Sequence, residues 1–149
     1  MLALTFQIGA DRVALDVRRV RRVVPRVKLA PAPPGARGLA GQFVYRGQVV
    51  PVVDFFRLAG AGECPARLSS RIVLVPRADD PERLVGLLAA QVADIRDLPA
   101  PSAIAHAPFG LGPPVADGTA MIRHLDADRL LASLDLEPAL LAVPGGAGS

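Results

Sequence analysis

The side chains in this sequence that could make or break bonds are few and scattered. The histidines are His106, in a proline-rich stretch, and His124; the one cysteine is Cys64; the serines are Ser69, Ser70, Ser102, Ser133 and Ser149. Nucleophilic catalysis needs a nucleophile held beside a base, and no Gly-x-Ser-x-Gly elbow supplies one. The only lysine, Lys28, belongs to no glycine-rich phosphate loop. One cysteine excludes an internal disulfide and any zinc site built on paired cysteines. Asp79, Asp80 and Glu82 crowd around Pro81 and read as a polar turn. His124, two residues after Ile122, is expected to face solvent, and Cys64 to be an ordinary loop thiol. No catalytic, metal or cofactor-binding residue is assigned, and the chain reads as a binding protein rather than an enzyme.

Binding to what is partly a question of charge. Residues 1–75 carry twelve Lys or Arg against four Asp or Glu, while residues 76–149 carry five against ten. All the cations but Lys28 are arginine, whose planar fork suits carboxylates better than an ammonium does. An Arg-rich small β-barrel that binds nucleic acid is the alternative reading. It is disfavoured because single-strand binders need aromatic stacking platforms. Here Phe6, Phe43, Phe55 and Phe56 sit in strand-like, apolar contexts, and the acidic second half would repel a phosphate backbone.

The elements that must position these charges are short. At 149 residues, one folded unit would bury roughly 68–70% of its extended-chain surface, so a core is attainable without staples. Leu2–Ile8 and Arg12–Val17 flank a Gly9 turn and read as a hairpin. Val17, Val20, Val23 and Val24 then fall between cations, as a helical turn or a twisted edge strand that ends at Pro25. Residues 30–38 are a Pro/Gly connector. Leu39–Tyr45 and Gln48–Val53 flank Arg46-Gly47, a two-residue loop suited to a tight hairpin. Pro51 should place that second strand at an edge or a bulge, with the hairpin at a rim. Residues 58–70 are expected to join two halves. Arg71–Pro76, the turn at 79–82 and Arg83–Ala89 repeat the pattern, with Val92–Leu98 as a continuation. Residues 99–118 hold five of the fifteen prolines and should be loop. Thr119–Leu125 is a final strand, and Asp126 caps a short helix striped by Leu130, Leu131 and Leu134. The expected domain is 1–143, followed by a flexible tail, 144–149. No apolar run approaches the ~20 residues needed to span a bilayer. The N-terminus lacks a basic start and is broken by Gln7, so it reads as a strand rather than a leader; the expected location is cytoplasmic.

The segment Gly41-Gln-Phe-Val-Tyr-Arg-Gly-Gln-Val-Val-Pro-Val-Val-Asp54 resembles the signature of CheW-like coupling proteins, the adaptors of bacterial chemosensory arrays. Gly41, Arg46, Gly47, Pro51 and Asp54 stand in its register. Phe6–Val17, Val20, Val23, Arg71–Pro76, Val85–Val92 and Leu125–Leu131 extend the similarity over nearly the whole chain. The wording Phe-Val-Tyr-Arg-Gly, with Arg-Leu-Ser-Ser-Arg-Ile later, is similar to the adaptors of surface-sensing, Wsp-type systems. Departures stand at Arg22, Val44 and Ala90, where family members often carry an acidic residue, Asn and Asp.

The resemblance implies a mainly β fold of two SH3-like five-stranded barrels side by side, with a short C-terminal helix. It implies no cofactor and two partners: the regulatory domain of a CheA-type histidine kinase and the cytoplasmic tip of a methyl-accepting chemoreceptor. It also implies a protein that is monomeric alone and joins membrane-associated arrays without inserting in the membrane. Arg46, Gly47, Val20, Val23 and Asp54 are the candidate partner-binding residues, and Gly41 and Pro51 the structural ones. Arg46 has two readings, a turn-holding ion pair with Asp54 or a pair with a partner's carboxylate.

Overall fold

Strict alternation of apolar residues sets the first hairpin. In a computed structural model of the chain, β1 (Leu2–Ile8) pairs antiparallel with β2 (Asp11–Asp16), with Leu4 opposite Leu15 and Phe6 opposite Val13. The structure describes residues 1–32, 38–58, 60, 62, 64, 70–101 and 108–134. His106, Ser69, Ser102, the middle of the Pro/Gly connector, most of the 59–69 loop and the end of the chain from 135, with its expected tail, lie outside the described residues. β2 stops one residue short of Val17. There the Asp16 carboxylate accepts from the Arg18 backbone N–H at 2.9 Å and starts a single 3-10 turn, Val17–Arg19.

Both readings of the next stretch are realised in succession, the turn and then a twisted edge strand, β3 (Arg22–Pro25). β4 (Leu39–Tyr45) and β5 (Gln48–Asp54) form the second hairpin, followed by one helical turn, α1 (Phe55–Leu58). β6 (Arg71–Pro76) and β7 (Leu84–Ala89) form the third. β8 (Ile95–Asp97), β9 (Val115–Asp117), β10 (Ala120–Leu125) and α2 (Ala127–Ala132) complete the order. The Asp126 carboxylate accepts from the Arg129 N–H at 3.1 Å, so the expected cap is in place.

The strands make two five-stranded sheets, in the orders β8-β1-β2-β10-β9 and β3-β6-β7-β5-β4. This is the mainly β, two-subdomain architecture expected from the sequence. The halves of the sequence are not the halves of the structure, however. Residues 58–70 connect β5 to β6 inside one sheet and do not join the two; the chain crosses between sheets after β2 and again after β7. Residues 92–98 do not continue β7. Gln91 takes a left-handed φ of 47°, and the chain then runs along β1, with Leu4 opposite Ile95. The short β9, hidden among the prolines of 99–118, was not foreseen.

Ion pairing and backbone bonds curl each sheet. Arg96 on β8 and Asp117 on β9 belong to the two outermost strands of the first sheet, yet their side chains meet at 2.5 Å. Cross-strand pairs share a face, so Ala3 opposite Arg96 and Ile122 opposite Val115 line the inside of that curl. Ala3, Ala14, Leu98 and Ile122 fill it. In the second sheet Ala30, downstream of β3, exchanges both backbone hydrogen bonds with Gln42 on β4, at 2.8 and 3.0 Å. The opposite face of the first sheet, with Leu4, Phe6, Ile8, Val13 and Leu15, shares one continuous core with Val50, Val52, Ile72, Leu74 and Leu88 of the second. At roughly 25 cal/mol per Å² of apolar surface, that shared core holds the two subdomains as one body.

Two sequence expectations fail in this frame. His124 is buried, with only 9% of its surface exposed. In a strand, residues two apart share a face, so spacing from the buried Ile122 points His124 inward. Pro51 does not lie on an edge strand, because β5 runs between β7 and β4, so of the expected edge or bulge only the bulge is present, in β4 at Leu39/Gly41 beside Gln42. A proline fits there because Gln42, its partner on β4, gives both its backbone groups to Ala30, and pairing with β7 begins only at Val52. Nothing in either ladder requires an N–H from residue 51.

Candidate functional site

The β4–β5 hairpin ends in Arg46-Gly47, both with left-handed backbones, at φ 49° and 79°. Two successive left-handed residues define the type I′ turn whose twist matches its strands. Gly47 meets this demand without strain; Arg46 does not, and a non-glycine residue held there is worth a functional question. The tip is firmly mounted. Gln48 donates through Nε2 to the Glu82 carbonyl at 3.0 Å, and its Oε1 accepts from the Leu84 N–H at 2.7 Å. The first residue of β5 is thereby clamped to the turn before β7.

Around this tip the side chains form a small cationic and aromatic cluster. The Arg46 guanidinium lies over the Tyr45 ring, 5.4 Å from its centroid. Arg22, on the edge strand β3, donates to the Tyr45 hydroxyl at 3.4 Å. Phe43 packs edge-on against the same ring, with centroids 6.4 Å apart. Arg22 and Arg46 are exposed, and Tyr45 is half-buried. An Arg–aromatic contact of this kind contributes about 0.5–1 kcal/mol at an exposed position, enough to orient the guanidinium and too little to fix it against a better partner.

The other candidates fall elsewhere. Val23 is exposed, next to Arg22, whereas Val20 is half-buried against the main core. Gly41 sits at a bulge where β4 slips register against β5. Its φ is 153°, and a Cβ there would stand 2.3 Å from the Ala30 carbonyl oxygen. Asp54 is not the exposed partner-binding residue expected from the sequence. Only 2% of it is exposed, and its oxygens accept from the Phe56 and Cys64 N–H groups at 3.0 Å each. Arg57 approaches it at 3.4 Å. It caps α1 and tethers the loop bearing Cys64, and no partner can reach it. Nor does it pair with Arg46: six strand steps of about 3.3 Å put ~20 Å between Gln48 and Asp54. Asp54 has the tether's other end in Cys64, itself buried, where burial first, and then the nearby Asp54 charge, push the thiol's pKa up.

Sequence reasoning placed Arg46 at the tip but passed over Tyr45 and Gln48, which seat it. The signal was local: an aromatic residue directly before the Arg-Gly turn and an amide directly after it. Among the described residues no group of three or more His, Cys, Asp or Glu side chains could hold a metal. No described helix is long and apolar enough to cross a membrane.

The described residues form two small β subdomains on one shared core, with a cationic and aromatic cluster at an exposed hairpin tip. The profile of the CheW-like domain matches residues 2–142, and the chain belongs to that family. The chain is 27% identical over 92 residues to the chemotaxis protein CheW of Thermotoga maritima, a match that covers 62% of this chain and 58% of that protein. Among solved structures it is similar to the scaffolding protein TtCheW of Thermoanaerobacter tengcongensis, with a TM-score of 0.71 at 21% identity over 87% of this chain and 86% of the other. That likeness carries the fold, two SH3-like subdomains side by side.

Proposed function

We propose that this protein is a non-catalytic adaptor of a bacterial chemosensory array. In this reading it couples a methyl-accepting chemoreceptor to a CheA-type histidine kinase by holding the two in fixed geometry. The observation that carries the proposal is the family match over residues 2–142. The architecture supports it physically. A scaffold transmits receptor state only if it does not bend between its contacts, and one continuous core runs through both subdomains. The Arg46 tip, braced by Gln48, gives such a body a stiff, exposed handle. The kinase regulatory domain and the receptor's cytoplasmic tip are the proposed partners. The protein acts in the cytoplasm at membrane-associated arrays, is monomeric when alone and needs no cofactor.

The test is retention of a CheA-type kinase regulatory domain and of a chemoreceptor cytoplasmic fragment from the same organism on the immobilised protein at physiological salt. Duplex and single-stranded DNA serve as controls. Retention of either protein without DNA is expected. Salt-sensitive retention of DNA alone would replace the adaptor by an Arg-rich nucleic-acid binder.

A further inference from the structure

Eight of the fourteen described arginines are already neutralised within the protein. Arg18, Arg19, Arg57, Arg77, Arg83, Arg96, Arg123 and Arg129 each meet a carboxylate of the same chain. Arg22 and Arg46 differ. Both are exposed, both rest on Tyr45, and neither has a carboxylate partner among the described residues. The neighbouring turn does not supply one: Asp79 and Asp80 are held by Arg77 and Arg83, and Glu82, whose carbonyl Gln48 holds, makes no ion pair with Arg22 or Arg46. Two guanidinium groups, one on β3 and one in the β4–β5 turn, thus meet the same tyrosine, at its hydroxyl and over its ring, and have no carboxylate beside them among the described residues.

We infer that Arg22, Tyr45 and Arg46 form a clamp for an acidic protein segment, one that presents at least two carboxylates, and that residue 22 sets which partners this adaptor accepts. The inference rests on the adaptor reading and adds the chemistry of the partner's surface. Arginine forks bind carboxylates through two parallel N–H···O bonds. The Tyr45 ring and hydroxyl orient the two forks without fixing them, so less side-chain freedom is lost when a partner arrives. A partner whose matching surface is basic would meet two like charges and be rejected. A phosphate backbone fits less well. Arg46 already lies over the Tyr45 ring and Phe43 packs edge-on against it, so the ring is not a free stacking platform, and residues 76–149 carry twice as many acids as bases.

The test measures affinity for the receptor cytoplasmic fragment and for the kinase regulatory domain, using the full chain and its Arg22→Glu, Arg22→Gln and Arg46→Glu variants, at low and high salt. Circular dichroism and thermal melting confirm that each variant folds. Arg22→Glu and Arg46→Glu should each weaken at least one of the two partners by about tenfold or more. Arg22→Gln should weaken the same partner by less, and a short polyglutamate peptide should compete for it. The salt dependence should be shallower in both Arg22 variants. Binding of both partners to Arg22→Glu and Arg22→Gln within twofold of the parent protein would overturn the clamp and leave the adaptor reading standing. A parent protein that binds neither partner would sink the adaptor reading and the clamp with it. DNA binding that is lost in Arg22→Glu would overturn the clamp in favour of a phosphate surface.

Discussion

Asp54→Ala separates a buried tether from a docking residue. The carboxylate is fully enclosed and accepts two backbone N–H groups, from Phe56 and Cys64. Truncation removes both bonds and strands both donors in a dry site, at about 1–3 kcal/mol for each unsatisfied group. The exposed Arg57 side of the ion pair, 45% accessible, adds less than about 1 kcal/mol. The expected loss is therefore about 3–5 kcal/mol, a large share of the roughly 5–15 kcal/mol that holds an ordinary domain. With a urea slope of about 2 kcal/mol/M, the unfolding midpoint should fall by about 1.5–2.5 M. Asp54→Asn keeps one acceptor and should lose about half as much. Thiol labelling gives an independent readout, because Cys64 sits at the far end of the tether. It should resist a thiol reagent in the parent protein and react in Asp54→Ala under native conditions, through local opening. A midpoint within about 0.3 M of the parent, with Cys64 still protected and partner binding abolished, would refute the reasoning and return Asp54 to the interface.

Arg46→Gly should leave the fold intact or slightly firmer, since glycine adopts the left-handed turn without strain, while partner binding falls; melting and pull-down together check this. Gly41→Val should lower the yield of folded protein and cost more than about 2 kcal/mol in urea unfolding, because its Cβ would collide with the Ala30 carbonyl. Burial holds the His124 pKa below its ordinary value near 6.5. The unfolded chain therefore takes up the proton first as pH falls, so the stability His124 contributes is complete above about 6.5 and is lost between that value and its lower folded pKa. Unfolding midpoints taken from pH 7.5 to 5 should drop more steeply in the parent than in His124→Gln.

Elements governed by local pattern were legible in the sequence. The Leu2–Ile8 hairpin, the Arg46-Gly47 turn, β6, β7 and the Asp126 cap all follow from alternation, turn chemistry or a capping side chain acting over a few residues. What stayed hidden depended on distant pairing. Residues 92–98 look like more of β7, and only the left-handed backbone at Gln91 sends them to β1. Pro51 is a poor strand residue until Gln42 is seen to spend its backbone on Ala30. Asp54 sits in the family signature, and that position alone does not distinguish a surface carboxylate from a buried one. For His124 the pattern itself was sufficient: two residues from Ile122 along a strand means the same face. At the candidate site, Arg46 was visible and its seat was not, because Arg22 reaches Tyr45 only once the edges of the second sheet approach.

The order of the strands also bears on how the chain is made. All five strands of the second sheet, β3 to β7, lie in one uninterrupted stretch from Arg22 to Ala89, whereas the first sheet needs β1 and β2 from one side of that stretch and β8 to β10 from the other. During synthesis the N-terminal hairpin is therefore left with an unpaired flank until Arg123–Leu125 emerge to lie parallel to β2. Closing that loop is the long-range, slow event, and the inner subdomain can already be formed when it happens. A nascent chain stalled between Ala90 and Ala120 would hold one finished barrel and one exposed apolar hairpin, the species that chaperones would have most reason to engage.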